Sequence, residues 1–388
     1  MLKKLLITVV AIVVIGVGGA LAILPGYLES TINLVTEHEP YEISPEAQAL
    51  HDSLIIGDLH SDTLLWARNV LDHATRGHVD LPRLQMGNVA IQQFTAVTKV
   101  PEGLNYEENS ADTDQLRMAM PLQLWPIRTW NSPHERARYQ AQRLRNAVDA
   151  SDGEMRLIRT QGDLVQVLAA RAADQNVTAA VLGTEGSHAL DGEHANIQVL
   201  FDDGYRTMGL HHFFDNRLGG SLHGISKAGL TEFGREAVRQ MVTMGVILDV
   251  AHSSEQVVDD VLAMTDRPVM VSHTGVYGNC ASPRNISDDH MQRIAAAGGL
   301  IGIGYWEGAL CDTSPAGVVE AIRYAINLVG VDHVGLGSDY DGSTNVTFDT
   351  SELAVLTQTM IDQGFTTSEI RAVMGENVMR FYLENLPE

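Results

Sequence analysis

Positive charge is in short supply. Lysine and arginine number 26 against 49 aspartates and glutamates, a formal net charge of −23. Such acidity repels phosphate backbones and anionic headgroups. It excludes nucleic acid and an anionic membrane surface as partners and disfavours a polyanionic substrate, while leaving room for a local basic pocket. Cysteine is scarcer still: Cys280 and Cys311 are the only two. Their spacing and neighbours make no cysteine-based metal site. An exported chain permits a disulfide between them, and two buried free thiols are an equal alternative. Wholly absent are a Walker-type phosphate loop, a Gly-x-Ser-x-Gly elbow and a His-Glu-x-x-His helix, so none of those chemistries competes. There is no low-complexity tract and no fixed-period repeat.

What is present begins with an apolar run. Lys3 and Lys4 precede an almost unbroken stretch from Leu5 to Leu24, closed by Pro25 and Gly26. Basic residues before an apolar segment make an export signal, and Ala20-Leu21-Ala22 offers a small-x-small cleavage site. The stretch is also long enough to span a bilayer and stays apolar past Ala22. Residues 1–26 are therefore read as a membrane anchor with its lysines inside. A cleaved signal, giving a secreted or periplasmic protein, is the alternative. Both readings export residues 27–388. Residues 27–50 read as a tether with a short helix.

From residue 51 the chain alternates. Short apolar runs end in glycine, polar or charged residues: Leu54–Gly57, Val89–Ala96, Val177–Gly183, Tyr205–Leu210, Gly245–Val250, Pro268–Ser272, Gly299–Tyr305 and His333–Gly337. Helical patterns separate several of them, among them Thr231–Met244, Ser254–Met264, Ser287–Ala297 and Pro315–Leu328. Strand alternating with helix implies parallel strands, and eight units imply an α/β fold of the (β/α)8 TIM-barrel kind over residues 51–388. The longest interruption, about 99–175, reads as a helical insertion beside the barrel mouth. It includes His134–Val148, and no chemistry is assigned to it. Ser351–Gln363 and Ser368–Tyr382 read as helices of the outer ring. The glycine-rich GIGYWEG segment reads as barrel packing.

Chemistry gathers at the carboxyl ends of these runs. LIIGDLHSDT supplies His60 and Asp62, whose i, i+2 spacing puts both side chains on one side of an extended chain. Glu185 follows the third run, His212 the fourth, His252 the fifth, His273 the sixth and Asp339 the eighth. Loops at that end of a parallel barrel converge on its axis and build active sites. Each residue alone has an ordinary structural reading. Together they form the His and carboxylate cluster that zinc-type ions require. A shared carboxylate could bridge two ions about 3.5–4 Å apart, which would hold one hydroxide between them as a nucleophile at pH 7. His188, His211 and His223 are assigned to the surface or to supporting roles, and Asp58 to a structural one.

These motifs resemble the membrane dipeptidase (renal dipeptidase) family of zinc metallopeptidases. The matching pieces, in order from Leu54 onward, are DLHSDT, GHVDLPRLQMGNVAIQQF, GTEGSHAL, GLHHFFDN, GLTEFGREAV, ILDVAHSS, VMVSHTG, ASPRNISDD and HVGLGSDYDG. The resemblance implies a zinc-dependent dipeptidase that hydrolyses the amide of a dipeptide with a metal-bridging hydroxide. It implies two Zn2+ ions per chain: His60 and Asp62 on one, His252 and His273 on the other, Glu185 bridging. It further implies that His212 binds substrate and stabilises the oxyanion, and that Arg284 holds the substrate carboxylate. Asp339, near the substrate amine, would carry the proton, and Cys280 would pair with Cys311. A homodimer is admitted. The chain departs from the family pattern with His-Ser-Asp at the first metal and Leu-His-His before Phe213, and the insertion after Lys99 is poorly matched. Two alternatives stand. One is a related binuclear amidohydrolase acting on another small amide or a D-residue-containing peptide. The other is a catalytically silent barrel used for binding.

Overall fold

The computed structural model describes residues 2–388, apart from most of the apolar side chains between Leu2 and Ala22. The expected anchor falls on those residues. A helix is traced over Leu2–Glu29. Among the described residues, no helix is long and apolar enough to cross a membrane.

Eight parallel strands close into a barrel: β1 (Ile56–Asp58), β2 (Val89–Val97), β3 (Thr178–Glu185), β4 (Tyr205–Gly209), β5 (Ile247–Asp249), β6 (Met270–Thr274), β7 (Leu300–Ile303) and β8 (Val334–Leu336). Each falls on one of the eight expected runs. Closure is made by β1, in which Asp58 pairs with Leu336 of β8 and with Gln92 of β2. The longest register runs from Ile91↔Ala179 to Val97↔Glu185 between β2 and β3. Every residue of β2 and β3 is buried, because a parallel strand is covered by helices outside and by side chains within.

The outer helices start where the chain offers a hydroxyl. Thr231, Ser254, Ser287 and Ser314 each accept a backbone N–H from three residues downstream. That satisfies one of the free donors at a helix start and fixes where each loop ends. The helices capped in this way are Glu232–Thr243, Glu255–Met264, Asp288–Ala296 and Pro315–Val329. After β8 come Ala354–Asp362, Thr367–Arg371 and Asn377–Asn385. The last of these lies against the amino ends of the strands: Asn377 Nδ2 donates to Val331 O and Val334 O, at 2.7 and 2.8 Å.

The 99–175 segment is largely helical, with Leu116–Leu122, Pro133–Ala150 and Gln161–Ala172. It also holds a strand, Met155–Leu157, that pairs with the amino half of β3, while β4 takes the carboxyl half. Three residues, Met-Arg-Leu, are too short to show a period in sequence. In the segment read as a tether, the helix Pro45–Asp52 is present, and Leu34–Val35 also pairs in parallel with Asn345–Val346.

Candidate metal centre and active site

The carboxyl rim of the barrel gathers the side chains singled out from sequence. Asp62, Glu185, His212, His252, Arg284 and Asp339 line one cavity of about 100 Å³. His60 and His273 lie against it, both buried. His60 and Asp62 follow β1, Glu185 ends β3, and His273 lies within β6. His252 and Asp339 sit on the loops after β5 and β8 with φ of 58° and 59°. That left-handed backbone is costly for a non-glycine residue and persists where surroundings enforce it.

Glu185 is the hub. Its Oε1 is 3.5 Å from His60 Nε2, 3.3 Å from His252 Nε2 and 3.5 Å from His273 Nε2, and its Oε2 is 3.4 Å from His212 Nε2. His60 Nε2 is also 3.5 Å from Asp62 Oδ1 and 3.9 Å from Asp339 Oδ1. Three sets of ligating atoms fall within 4.8 Å of one another: His60, Asp62 and Asp339; His60, Glu185 and His273; Glu185, His212 and His252.

Hydrogen bonding behind the rings shows that a cation fits. Ser272 Oγ is 3.0 Å from His60 Nδ1 and 2.9 Å from His273 Nδ1. One hydroxyl oxygen can accept from both ring N–H groups. With their Nδ1 atoms engaged in this way, both rings turn Nε2 towards Glu185, the arrangement that metal-ligating histidines use. His60 Nε2 has no hydrogen-bond partner, and His252 Nε2 lies 2.9 Å from His273 Nε2. Lone pairs and carboxylates that converge in a dry site repel one another unless a cation lies among them.

The titration tendencies differ from group to group. Burial, then Asp62 and Asp339, holds the Glu185 carboxyl well above its ordinary range. Burial, then Arg284, holds His252 well below the usual imidazole value, and burial, then His60, does the same for His273. Burial lowers His212 to about 4. At His60 burial also disfavours charge, but Asp62, Asp339 and Asp249 outweigh it and the group is raised. Burial pushes Asp339 up to about 7.

Arg284 is buried at the cavity wall. Its Nη2 donates to His273 O at 3.1 Å, and its guanidinium lies 5.2 Å from the Trp306 ring centroid. Cys280 and Cys311 form a disulfide around this wall, which settles the alternative left open by their spacing. Asp58 has the structural role expected: its carboxylate accepts from His60 N at 2.9 Å and Ser338 N at 3.2 Å. His211 and His223 are fully enclosed and not at the surface. Their Nδ1 atoms face Ser253 Oγ at 3.1 Å and Tyr106 O at 2.9 Å.

Sequence reasoning missed four residues here. Asp249 accepts from Ala251 N and Ser272 N, both at 3.0 Å. It braces the loop that carries His252 and the strand that carries His273. Its place at the end of ILD, three residues before His252, was a usable signal. Ser272, next to His273, was another. Trp306 belongs to the segment read as packing, but β7 stops at Ile303 and Trp306 lines the cavity. Tyr106 comes from the 99–175 insertion and its hydroxyl accepts from Trp306 Nε1 at 3.0 Å. Nothing local in the sequence marks it.

Known proteins share this architecture. A dipeptidase of metallopeptidase family M19 superposes with a TM-score of 0.72 at 24% identity, over 86% of this chain and 99% of its own. A metallopeptidase from Rhodobacter sphaeroides, solved with a phosphinate mimic of L-Ala-D-Ala, gives 0.70 at 24% identity, over 86% and 99%. The probable dipeptidase PvdM from Pseudomonas aeruginosa gives 0.73 at 19%, over 88% and 98%. At these identities the likeness shows the fold. In sequence, the dipeptidase aclJ of Aspergillus oryzae is 27% identical over 395 aligned positions, covering 90% of this chain and 86% of that protein. The model of the membrane dipeptidase family, peptidase family M19, matches residues 44–385, and the chain therefore belongs to that family of hydrolases.

Proposed function

We propose that this protein is a dipeptidase that works with two zinc ions at the carboxyl rim. The observation that carries the reading is the meeting of three imidazole Nε2 atoms on one oxygen of Glu185. In this reading His60 and Asp62 would hold one ion, His252 and His273 the other, and Glu185 would be shared between them. When bound, the pair supplies Lewis acidity and a water acidic enough to attack at neutral pH.

The chain's own groups do the rest. A dipeptide presents a carboxylate and an amine on either side of one amide. Arg284, the buried cation of the cavity, meets the carboxylate and fixes the register of the amide. His212 stands across from Glu185, placed to bind the substrate beside the carbonyl oxygen on which negative charge develops. Asp339, with a pKa pushed to about 7, is matched to taking a proton from water and giving it to the leaving amine. The small cavity suits a small substrate with both ends recognised. The N-terminal segment fits export and tethering, with the barrel outside the membrane.

The test is metal analysis of the purified protein with a panel of L,L- and L,D-dipeptides and N- or C-blocked analogues. Two zinc ions per chain and hydrolysis restricted to peptides with both termini free are expected. Hydrolysis of blocked amides alone would move the reading to another amidohydrolase. Two bound zinc ions with no hydrolysis of any panel member would end the dipeptidase reading and leave the metal centre. The L,D arm has a specific motive, since the R. sphaeroides neighbour is liganded with a mimic of L-Ala-D-Ala.

A further inference from the structure

The loop after β8 is a strained piece of backbone. Asp339, Asp341 and Ser343 adopt φ of 59°, 63° and 62°. Such backbone is costly for a non-glycine residue and persists where the surroundings hold it. The loop also builds the site, since Asp339, Ser343 and Thr344 line the cavity. Something must hold it.

Half of the hold is internal to the barrel. The Asp341 carboxylate accepts from His78 N and from Thr63 Oγ1, both at 2.7 Å, and from Arg68. The other half comes from the segment ahead of the barrel. Glu29, only 1% exposed, accepts from Arg68 Nε at 2.6 Å and from Arg76 Nε at 2.7 Å. The buried Arg68 guanidinium is thus held between Asp341 on one side and Glu29 on the other. Four residues on, Asn33 Oδ1 accepts from Ser343 N at 2.9 Å. Leu34 and Val35 then pair with Asn345 and Val346, Thr36 N donates to Val346 O at 2.8 Å, and Tyr41 OH donates to Thr347 O at 2.7 Å.

We propose that the Glu29–Tyr41 segment is a strap that sets the Asp339 loop, with Glu29 and Asn33 as positioning residues for the catalytic site. The strap touches no ligating atom. It acts through Arg68 and through the Ser343 backbone. A chain cut at Ala22 keeps the whole strap, whereas one beginning after Thr36 keeps every ligand of the metal centre and loses the strap's anchors. The proposal uses the dipeptidase reading for its kinetic arm only.

The experiment compares full-length Glu29→Gln and Asn33→Ala with the wild type in four measurements: zinc content, melting temperature, kcat and KM, and amide hydrogen exchange. Exchange across residues 339–347 is expected to rise about tenfold, with β2 and β3 unchanged. The turnover number is expected to fall about tenfold, with KM within twofold and zinc content retained, because a small displacement of a proton carrier weakens the chemical step more than binding. Unchanged exchange and kcat in both variants would overturn the proposal. So would a kcat loss that follows loss of zinc or of folded protein. If Glu29→Gln does not fold, Asn33→Ala decides. If the wild type hydrolyses no dipeptide, the function reading fails separately, and exchange alone decides the strap.

Discussion

The two ends of the barrel bury different kinds of polar group, amides and hydroxyls at one and clustered imidazoles and carboxylates at the other. At the amino end the C-terminal helix packs Val378 and Phe381 against the strand starts. Polar side chains near it are partly paired: Gln93 Oε1 accepts from Tyr382 OH at 2.6 Å and from Thr207 Oγ1 at 3.0 Å, while Gln93 Nε2 and Asn377 Oδ1 have no partner. A cleft of about 390 Å³ beside Arg171 and Asn176 is the roomier one, yet its lining carries no cluster of ligating groups. At the carboxyl end four histidines and three carboxylates crowd a cavity of about 100 Å³, and His60 Nε2, 3.5 Å from two carboxylates, has no hydrogen-bond partner. One end therefore gains stability from its contacts. The other holds an arrangement that is unfavourable until a ligand completes it. Cavity size alone would have chosen the wrong end.

If that division holds, damage at the rim should remove activity and damage at the base should remove stability. Glu185→Gln is the most severe case. It should lower kcat/KM by on the order of 10³-fold or more and reduce bound zinc below two per chain, since the carboxylate proposed to be shared by both ions loses its charge. Full activity with two zinc ions would show that Glu185 bridges nothing. Phe381→Ala, at the base, should cost about 3–5 kcal/mol by denaturant titration while kcat per folded molecule stays at the wild-type value. A changed kcat would blur the division.

The disulfide tests the rim from the side of stability. Cys280 and Cys311 are 31 residues apart. Replacing both with serine should cost about 3–4 kcal/mol by the loop-entropy argument, with a loss of substrate affinity because Arg284 and Trp306 lie within that loop. Arg284→Lys should lower kcat/KM about 10²-fold, mainly through KM, because an ammonium cannot reproduce the planar fork. Equal losses on C-terminally amidated substrates would contradict a carboxylate-binding role.

The last expected effect is a pH dependence. Burial lowers His211 to about 4. Its folded value lies below its unfolded one, so the stability it contributes is present above pH 6.5 and lost as pH falls through about 4. The melting temperature of the metal-free protein should drop over that window, and His211→Phe should flatten the drop. An unchanged slope would place the acid sensitivity elsewhere in the histidine cluster.

Much of this molecule was legible before it was folded. The eight strands were readable because a strand buried on both faces writes a continuous apolar run, and the rim cluster of histidines and carboxylates because it sits where those runs stop. Helix starts were readable from hydroxyl residues such as Thr231 and Ser254. Other features had no local mark. Met155–Leu157 is too short for a period. Tyr106 reaches the cavity from an insertion that carries no pattern of its own. The segment ahead of the barrel reads as a polar tether, because Glu29 looks like any surface acid until Arg68 and Arg76 close on it.

By itself the sequence determined which residue types stand at the ends of which strands, since alternation and composition are properties of the chain. Tertiary structure alone decided which nitrogen of each imidazole faces inward, because Ser272 Oγ takes the Nδ1 atoms of His60 and His273 from two different strands. It alone joined Glu29 to Asp341 through Arg68. Partners more than 200 residues apart are set by barrel closure, and no local pattern records them.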